Sequence, residues 1–499
     1  MLRTESYRRG VISSSMFNVI VKGIVFLNTI FIAYFFGTSL ETDIYFYVFS
    51  VVVLIAGLVN GMDLSVIIPE GMVVMEEKGH LAAMKFYNFF GFIYLMIGVL
   101  LFFILFFFSI PIYSAVSTFK ASSLNDHSNI LVLSSALPLL MMLSNYYTSV
   151  LTTLKYFTAP LIANGIAQVF SLAALLFFHN EAGIVAVLAG MLAGYILNIV
   201  LLLVFMRSRL NWKFTTSRIR IGSRITKNLF TVQLGSAATF IYNYGIIVLL
   251  SSLGTGIYSA YSYSLQIVNI PYSFIVAQVA AVAGIKFNEE AAKKRYHSLN
   301  RLFQENMRII LFILVPICFL TWLYADTIVK LLFFRGTFDQ KDADNVVYFV
   351  RFLIFLVPCL AINTFLSRLL ISIKKVNESF YFQVIANIAI LLIMFFSTRY
   401  FGLSGFLSSL LIMNYLYFTI ACIFLMRWLM EYIEYVKFLK LFLRIILLNL
   451  PLFIISLYFF KYIFFIVPVF YIVVLLILNR FSNLIPSLHT RVFNLINVK

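Results

Sequence analysis

The chain has 499 residues, of which 62% are hydrophobic and 11% charged. A soluble domain carries about 25% charged residues, so no water-soluble core could take up this much apolar side chain, and the expected solvent is a bilayer. The net charge of +18 does not call for nucleic acid, because cytoplasmic loops of a polytopic membrane protein collect Lys and Arg.

Backbone groups in lipid must be satisfied internally, by helices or a closed barrel. The apolar runs lack strand alternation and are long enough to cross, which takes roughly 20 residues. Fourteen spans are predicted, at roughly 11–36, 42–70, 84–112, 129–153, 158–179, 183–206, 228–252, 256–285, 302–325, 340–373, 378–398, 403–427, 439–460 and 462–479. Lys461 alone separates the last two. The first run is as long as a span and lacks a small-residue cleavage site, so no signal peptide is expected. An even count puts both termini on one side. With that side cytoplasmic, 26 of the 37 Lys and Arg fall inside and 6 outside, the remainder lying within spans. This is the bias that orients membrane proteins.

The basic stretch 207–227 divides the spans into an N-lobe, 1–206, and a C-lobe, 228–430; residues 431–499 carry the last pair and a tail. "FFGTSLETDIYFYVF" before the second span is echoed by "SLGTGIYSAYSYSL" before the eighth. The first span carries Ser15, Asn18 and Lys22 at the spacing at which the seventh carries Ser236, Thr239 and Asn243. These are polar stripes on one helical face. The expectation is an all-α membrane protein of two six-helix lobes around a central cavity, as in transporters with parallel repeats.

Little points to catalysis. The five histidines are scattered without HExxH, and there is no GK[ST] phosphate loop. Outer loops are too short for the acid/base domain of a membrane glycosyltransferase. Cys318, Cys359 and Cys422 sit singly in apolar runs and read as small core residues. No metal or cofactor is expected; coupling to membrane potential, H+ or Na+ stays open.

Ionisable groups within spans are functional candidates. Lys22 lies deep in the first span on the polar face, and Asp63 low in the second could partner it. Asp43 opens the second span as a cap or a gate; Arg351 sits near the outer mouth, and Arg368 is placed to snorkel inward. Asn28, Gln233, Asn243, Gln266 and Asn269 add polar spots. "LLFFRGTFDQKDAD", 331–344, interrupts the apolar chain in an outer loop. Gly336 permits the turn, and Asp339 with Asp342 three residues on resembles a helix cap. The span that follows is too long for the bilayer, so it must project, tilt or bend, and Pro358 supplies a kink. One reading makes this turn a gate touching the first lobe through Arg335 and Arg351; the other makes it a static cap.

Four segments together resemble the MurJ/MviN lipid II flippases: "FFGTSLETDIYF", "NGMDLSVIIPE", "YSYSLQIVNIPYSF" and "LLFFRGTFDQKDAD", in order over roughly 10–430. The resemblance implies the multidrug/oligosaccharidyl-lipid/polysaccharide exporter fold, alternating access, and a final helix pair forming a groove for a lipid tail. It also implies a bacterial cytoplasmic membrane and, as partners, membrane lipids, a lipid-linked saccharide and cell-envelope biosynthesis enzymes. The cavity arginines of that family are matched here by Lys22, by Asn28, near Ile55 or Ala56, and by Gln266. The substrate expected is lipid II or a related polyprenyl-pyrophosphate-linked saccharide. Lys22, Asn18, Asn28, Gln266, Asn243 and Arg351 are the candidate binding residues, and Asp43, Asp63, Arg335, Gly336 and Asp339 the candidate gating or coupling residues. The alternative is a cation-coupled small-molecule antiporter of the same superfamily, which would favour cavity carboxylates over Lys22.

Overall fold

Long apolar runs become helices because each N–H then finds its carbonyl four residues back, leaving nothing polar for lipid to solvate. The computed structural model describes residues 7–154, 156, 158–215, 223–373, 375–428, 432–460 and 466–482. Among these every regular element is helical. The first half holds α1 (Tyr7–Phe36), α2 (Leu40–Met62), a π-helical segment (Asp63–Ile67), α3 (Ile68–Lys78), α4 (His80–Val116), α5 (Ala121–Asp126), α6 (Ser128–Ser134), α7 (Leu137–Thr153), α8 (Thr158–Ala182) and α9 (Val185–Leu210). Then come α10 (Ser223–Ser251), α11 (Ile257–Pro271), a second π-helical segment (Tyr272–Val276), α12 (Ala277–Ala292), α13 (Tyr296–Leu323) and α14 (Ala325–Phe333). The chain finishes with α15 (Gln340–Leu353), α16 (Leu356–Ser372), α17 (Val376–Trp428), α18 (Tyr435–Phe460) and α19 (Val467–Ser482).

Eleven described helices are long and apolar enough to cross a membrane, or twelve when α15 and α16 count as one bent span. The expected fourteen is not reached, for two reasons. The eleventh and twelfth predicted spans run together in α17, broken only by the left-handed backbone of Gly402 (φ 59°, ψ −140°). The last predicted span is α19, of 16 residues.

The chain forms two compact units, Met1–Tyr263 with Leu332–Ala343 and Asn387–Leu403, and Ser264–Leu331 with Asp344–Ala386 and Ser404–Lys499. In the first, α8 and α9 pack most closely. Gly190 and Gly194 of α9 lie against Phe170, Ser171, Ala174 and Ala167 of α8, where a methyl on either glycine would overlap its neighbours. This is small-xxx-small packing, which substitutes backbone approach for a hydrophobic driving force that lipid does not supply. At the other end of α9, the buried Trp212 donates its indole N–H to Asn88 Oδ1 at 2.8 Å. The Asn88 amide in turn donates to the Lys213 carbonyl at 2.6 Å. The start of the basic linker is thereby anchored on α4.

In the second unit, the expected bend at Pro358 is present: α15 and α16 meet at 43°. A proline cannot donate to the carbonyl four residues back, and its ring pushes that carbonyl away. That carbonyl, Ile354, accepts the buried Cys318 thiol at 3.3 Å, and the next, Phe355, accepts the Tyr415 hydroxyl at 2.7 Å. Cys318 is therefore a bend partner as well as a core residue.

Candidate functional site: a cluster of turns and a polar stripe

Three turns that the sequence places outside meet within the first unit. Each helix that starts there leaves backbone N–H groups without intrahelical acceptors. The α2 start is capped locally: Ser39 Oγ accepts the Thr42 N–H at 3.2 Å. Asp43 is therefore not the cap of its own helix. It is 1% exposed, and its carboxylate accepts Gly256 N–H at 2.5 Å and Ser259 N–H at 2.7 Å, at the start of α11. Two orphan donors and the positive end of a helix dipole are met by one carboxylate 213 and 216 residues away in sequence.

The Gly336 turn is built into the same cluster. Asp339 Oδ1 accepts Asp342 N–H at 2.9 Å and Asp342 Oδ2 accepts Asp339 N–H at 3.3 Å, a reciprocal cap at the start of α15. Asp342 also accepts the Thr38 N–H at 3.3 Å and the Thr38 hydroxyl. Thr337 donates its N–H (2.9 Å) and its hydroxyl (3.1 Å) to the Tyr34 carbonyl at the end of α1. Gly336 is left-handed (φ 64°), and a Cβ there would run into the Tyr34 carbonyl and ring. Glycine is required on both counts.

Beneath the turns lies an aromatic layer. Tyr263 is fully buried and donates to the Gly37 carbonyl at 2.8 Å; its ring meets Phe46 edge-on at 5.3 Å and Phe333 at 5.5 Å. Tyr258 donates to Ser50 at 2.8 Å. The hydroxyls of Tyr47 and Tyr244 lie 3.0 Å apart, and Tyr244 donates to the Val116 carbonyl. The two Tyr-rich helix starts thus interlock.

The remaining candidates are placed as follows. Asn18 and Lys22 of α1 are exposed, and Lys22 forms no ion pair among the described residues. The Ser15 side chain lies outside what is described. Asn28 is buried and donates to Ser171 of α8 at 2.8 Å. Asp63 takes the Tyr94 hydroxyl as its partner, not Lys22. Asn243 is half-buried and donates to the Thr239 carbonyl of its own helix at 2.9 Å. In the second unit, Gln266 is half-buried, Asn269 and Arg368 are exposed, and Arg351 stands over the Trp322 ring at 4.9 Å. Arg335 is exposed and donates to the Leu332 carbonyl at 3.0 Å within its own turn. The expected contact of the Gly336 turn with the first lobe exists, but Thr337, Asp342 and the Gly336 backbone make it. Gly256, Ser259 and Tyr263 are the members that sequence reading missed. The repeated Gly-Thr turn and the Tyr-rich starts were their only trace.

The model of the family described as "Lipid II flippase MurJ" matches residues 32–479. A curated relative, the probable lipid II flippase MurJ of Borreliella burgdorferi, is 23% identical over 388 residues, covering 75% of this chain and 74% of the relative. Among solved structures, a lipid II flippase MurJ in an inward closed conformation superposes with a TM-score of 0.79 at 18% identity, covering 95% of this chain and 99% of the other. An inward-facing multidrug transporter of the MATE family in the MOP superfamily superposes less well, at TM-score 0.68 and 12% identity, over 80% of this chain and 92% of its own. With the family match running through nearly the whole chain and the same fold alongside it, this protein belongs to the MurJ lipid II flippase family.

Proposed function

We propose that the protein carries a polyprenyl-pyrophosphate-linked saccharide, lipid II or a related cell-surface precursor, from the inner to the outer leaflet of a bacterial cytoplasmic membrane by alternating access. The family match over 32–479 carries this reading. The physics agrees with it. A diphosphate sugar cannot enter hydrocarbon unaided, whereas its polyprenyl tail can stay there. Lys22, exposed and without a carboxylate partner among the described residues, is the charge available to meet the diphosphate. An ammonium grips phosphate as a point charge, less specifically than the bidentate fork of Arg. Asn18, one turn before it, is the nearest polar neighbour on its helix. The antiporter alternative asks for an accessible carboxylate. Asp43 is occupied by α11, and Asp63 lies under Tyr94.

In this reading the turn cluster is the outer gate, closed in this conformation and broken when the headgroup leaves. Both termini are cytoplasmic. The halves 1–206 and 228–430 are the moving lobes, and the driving force is membrane potential, H+ or Na+. The test is reconstitution of the purified protein in liposomes with fluorescent lipid II or a polyprenyl-pyrophosphate oligosaccharide in the inner leaflet. Headgroup exposure to an external quencher should rise with protein; exposure equal to protein-free liposomes for both lipids would reject the reading. Reporter fusions after Lys227 and Lys294 should read cytoplasmic, and those near Lys120 and Gly336 external.

A further inference from the structure

Asp63 opens the π-helical segment between α2 and α3 and is 1% exposed. One carboxylate oxygen accepts the Tyr94 hydroxyl, while the other, Oδ2, has no partner among the described residues. The Tyr94 ring lies 4.8 Å from that of Tyr146, and the Tyr146 hydroxyl is already donated to the Tyr87 carbonyl at 2.5 Å. The described titratable groups facing Asp63 are thus Tyr94 from α4 and Tyr146 from α7. Along its own chain the nearest is Glu70, another acid, two turns on. The segment also packs on α10. No described Lys or Arg from any element stands within ion-pair distance of Asp63.

An ionised carboxylate enclosed by rings, with one hydrogen bond and no cation, is strongly disfavoured, and the neutral acid is the form such a place accepts. The segment itself offers a way out. The Ile68 N–H reaches back to the Asp63 carbonyl, the five-residue spacing of a π-turn. Such single π-turns recur at functional sites. Drawing the extra residue into α-helical register would rotate the side chains before it by about 100° relative to those after it. The carboxyl would then part from Tyr94.

We propose that Asp63 is a proton-binding site, loaded in this conformation and emptied when the π-turn re-registers. On release the carboxyl O–H breaks, the proton passes to water, and the carboxylate left behind is solvated. The role of this step in transport rests on the flippase reading above; the site itself does not. The test is infrared spectroscopy of the purified full-length protein in lipid nanodiscs, which needs no substrate. At neutral pH the wild type should show a protonated-carboxyl C=O stretch. That band should be lost in Asp63→Asn and shifted to higher frequency in Tyr94→Phe, which removes the hydrogen-bond donor but not the acid. Sodium added at constant pH should leave the band in place. A band unchanged in Asp63→Asn, no band at neutral pH, or a band removed by sodium would each overturn the proposal, and the flippase assay would be untouched by any of them.

Discussion

The cluster of turns and the polar stripe use similar side chains in opposite ways. In the cluster, Asp43, Asp342, Thr38, Thr337 and Tyr263 each bond to a residue more than two hundred positions away. In the stripe, Asn243 bonds to its own helix, while Asn18 and Lys22 stand exposed. Polar groups that satisfy one another across helices make a latch. Polar groups left open to their surroundings can receive a ligand. Under the proposed function, holding falls to one region and carrying to the other, and that division can be attacked from either side.

The sharpest attack is on Lys22. Lys22→Ala should reduce headgroup transfer to the protein-free background, Lys22→Arg should retain part of it, and stability should move by no more than about 0.5 kcal/mol because the side chain is exposed. An active alanine variant would remove the carrying half of the comparison. Next in size is Asp43→Ala, which leaves the Gly256 and Ser259 N–H groups at the start of α11 without an acceptor, at about 1–3 kcal/mol each. Thermal unfolding in detergent should show the loss, and Asp43→Asn, which keeps one acceptor oxygen, about half of it. Gly336→Ala follows. A left-handed alanine costs about 1–2 kcal/mol before any overlap with Tyr34 is relieved. Its effect should appear as a lower yield of the disulfide between Thr38→Cys and Thr337→Cys. In the otherwise native chain that disulfide should form readily and block transfer until reduced; full transfer with the link intact would show that the cluster does not open. Asn243→Ala should do least, within about 0.5 kcal/mol, since its bond is a local one.

Much of the helical layout was legible because apolar length and charge bias are local properties. The Pro358 bend and the Asp339–Asp342 cap were legible for the same reason: each is set by residues within one turn of each other. What sequence reading missed was long-range. Nothing near Asp43 announces that its acceptors serve a helix two hundred residues on, and nothing near Asp63 announces Tyr94. Asn28 was readable in part. It lies six residues from Lys22, about 240° round the helix, so it never shared the stripe's face and instead holds α8. The eleventh and twelfth predicted spans follow one another without a loop, and the non-helical Gly402 alone marks the break between them.

The bend at Pro358 has a mechanical consequence. The Ile354 carbonyl, which Pro358 cannot serve, accepts the Cys318 thiol and the Val357 N–H, and the Phe355 carbonyl accepts the Tyr415 hydroxyl, so straightening the helix would disturb bonds at both positions. The bend therefore behaves as a stiff elbow. Beyond it α16 runs 17 residues, an arm of about 25 Å at 1.5 Å per residue. Set at 43° to α15, the arm ends roughly 17 Å off the axis of α15, by the same rise per residue. Twisting α15 by about 10° would then sweep the arm's tip sideways by about 3 Å on that geometry. A pivot of this form would act as a crank, turning a small rotation at one end of the helix into a lateral step at the other.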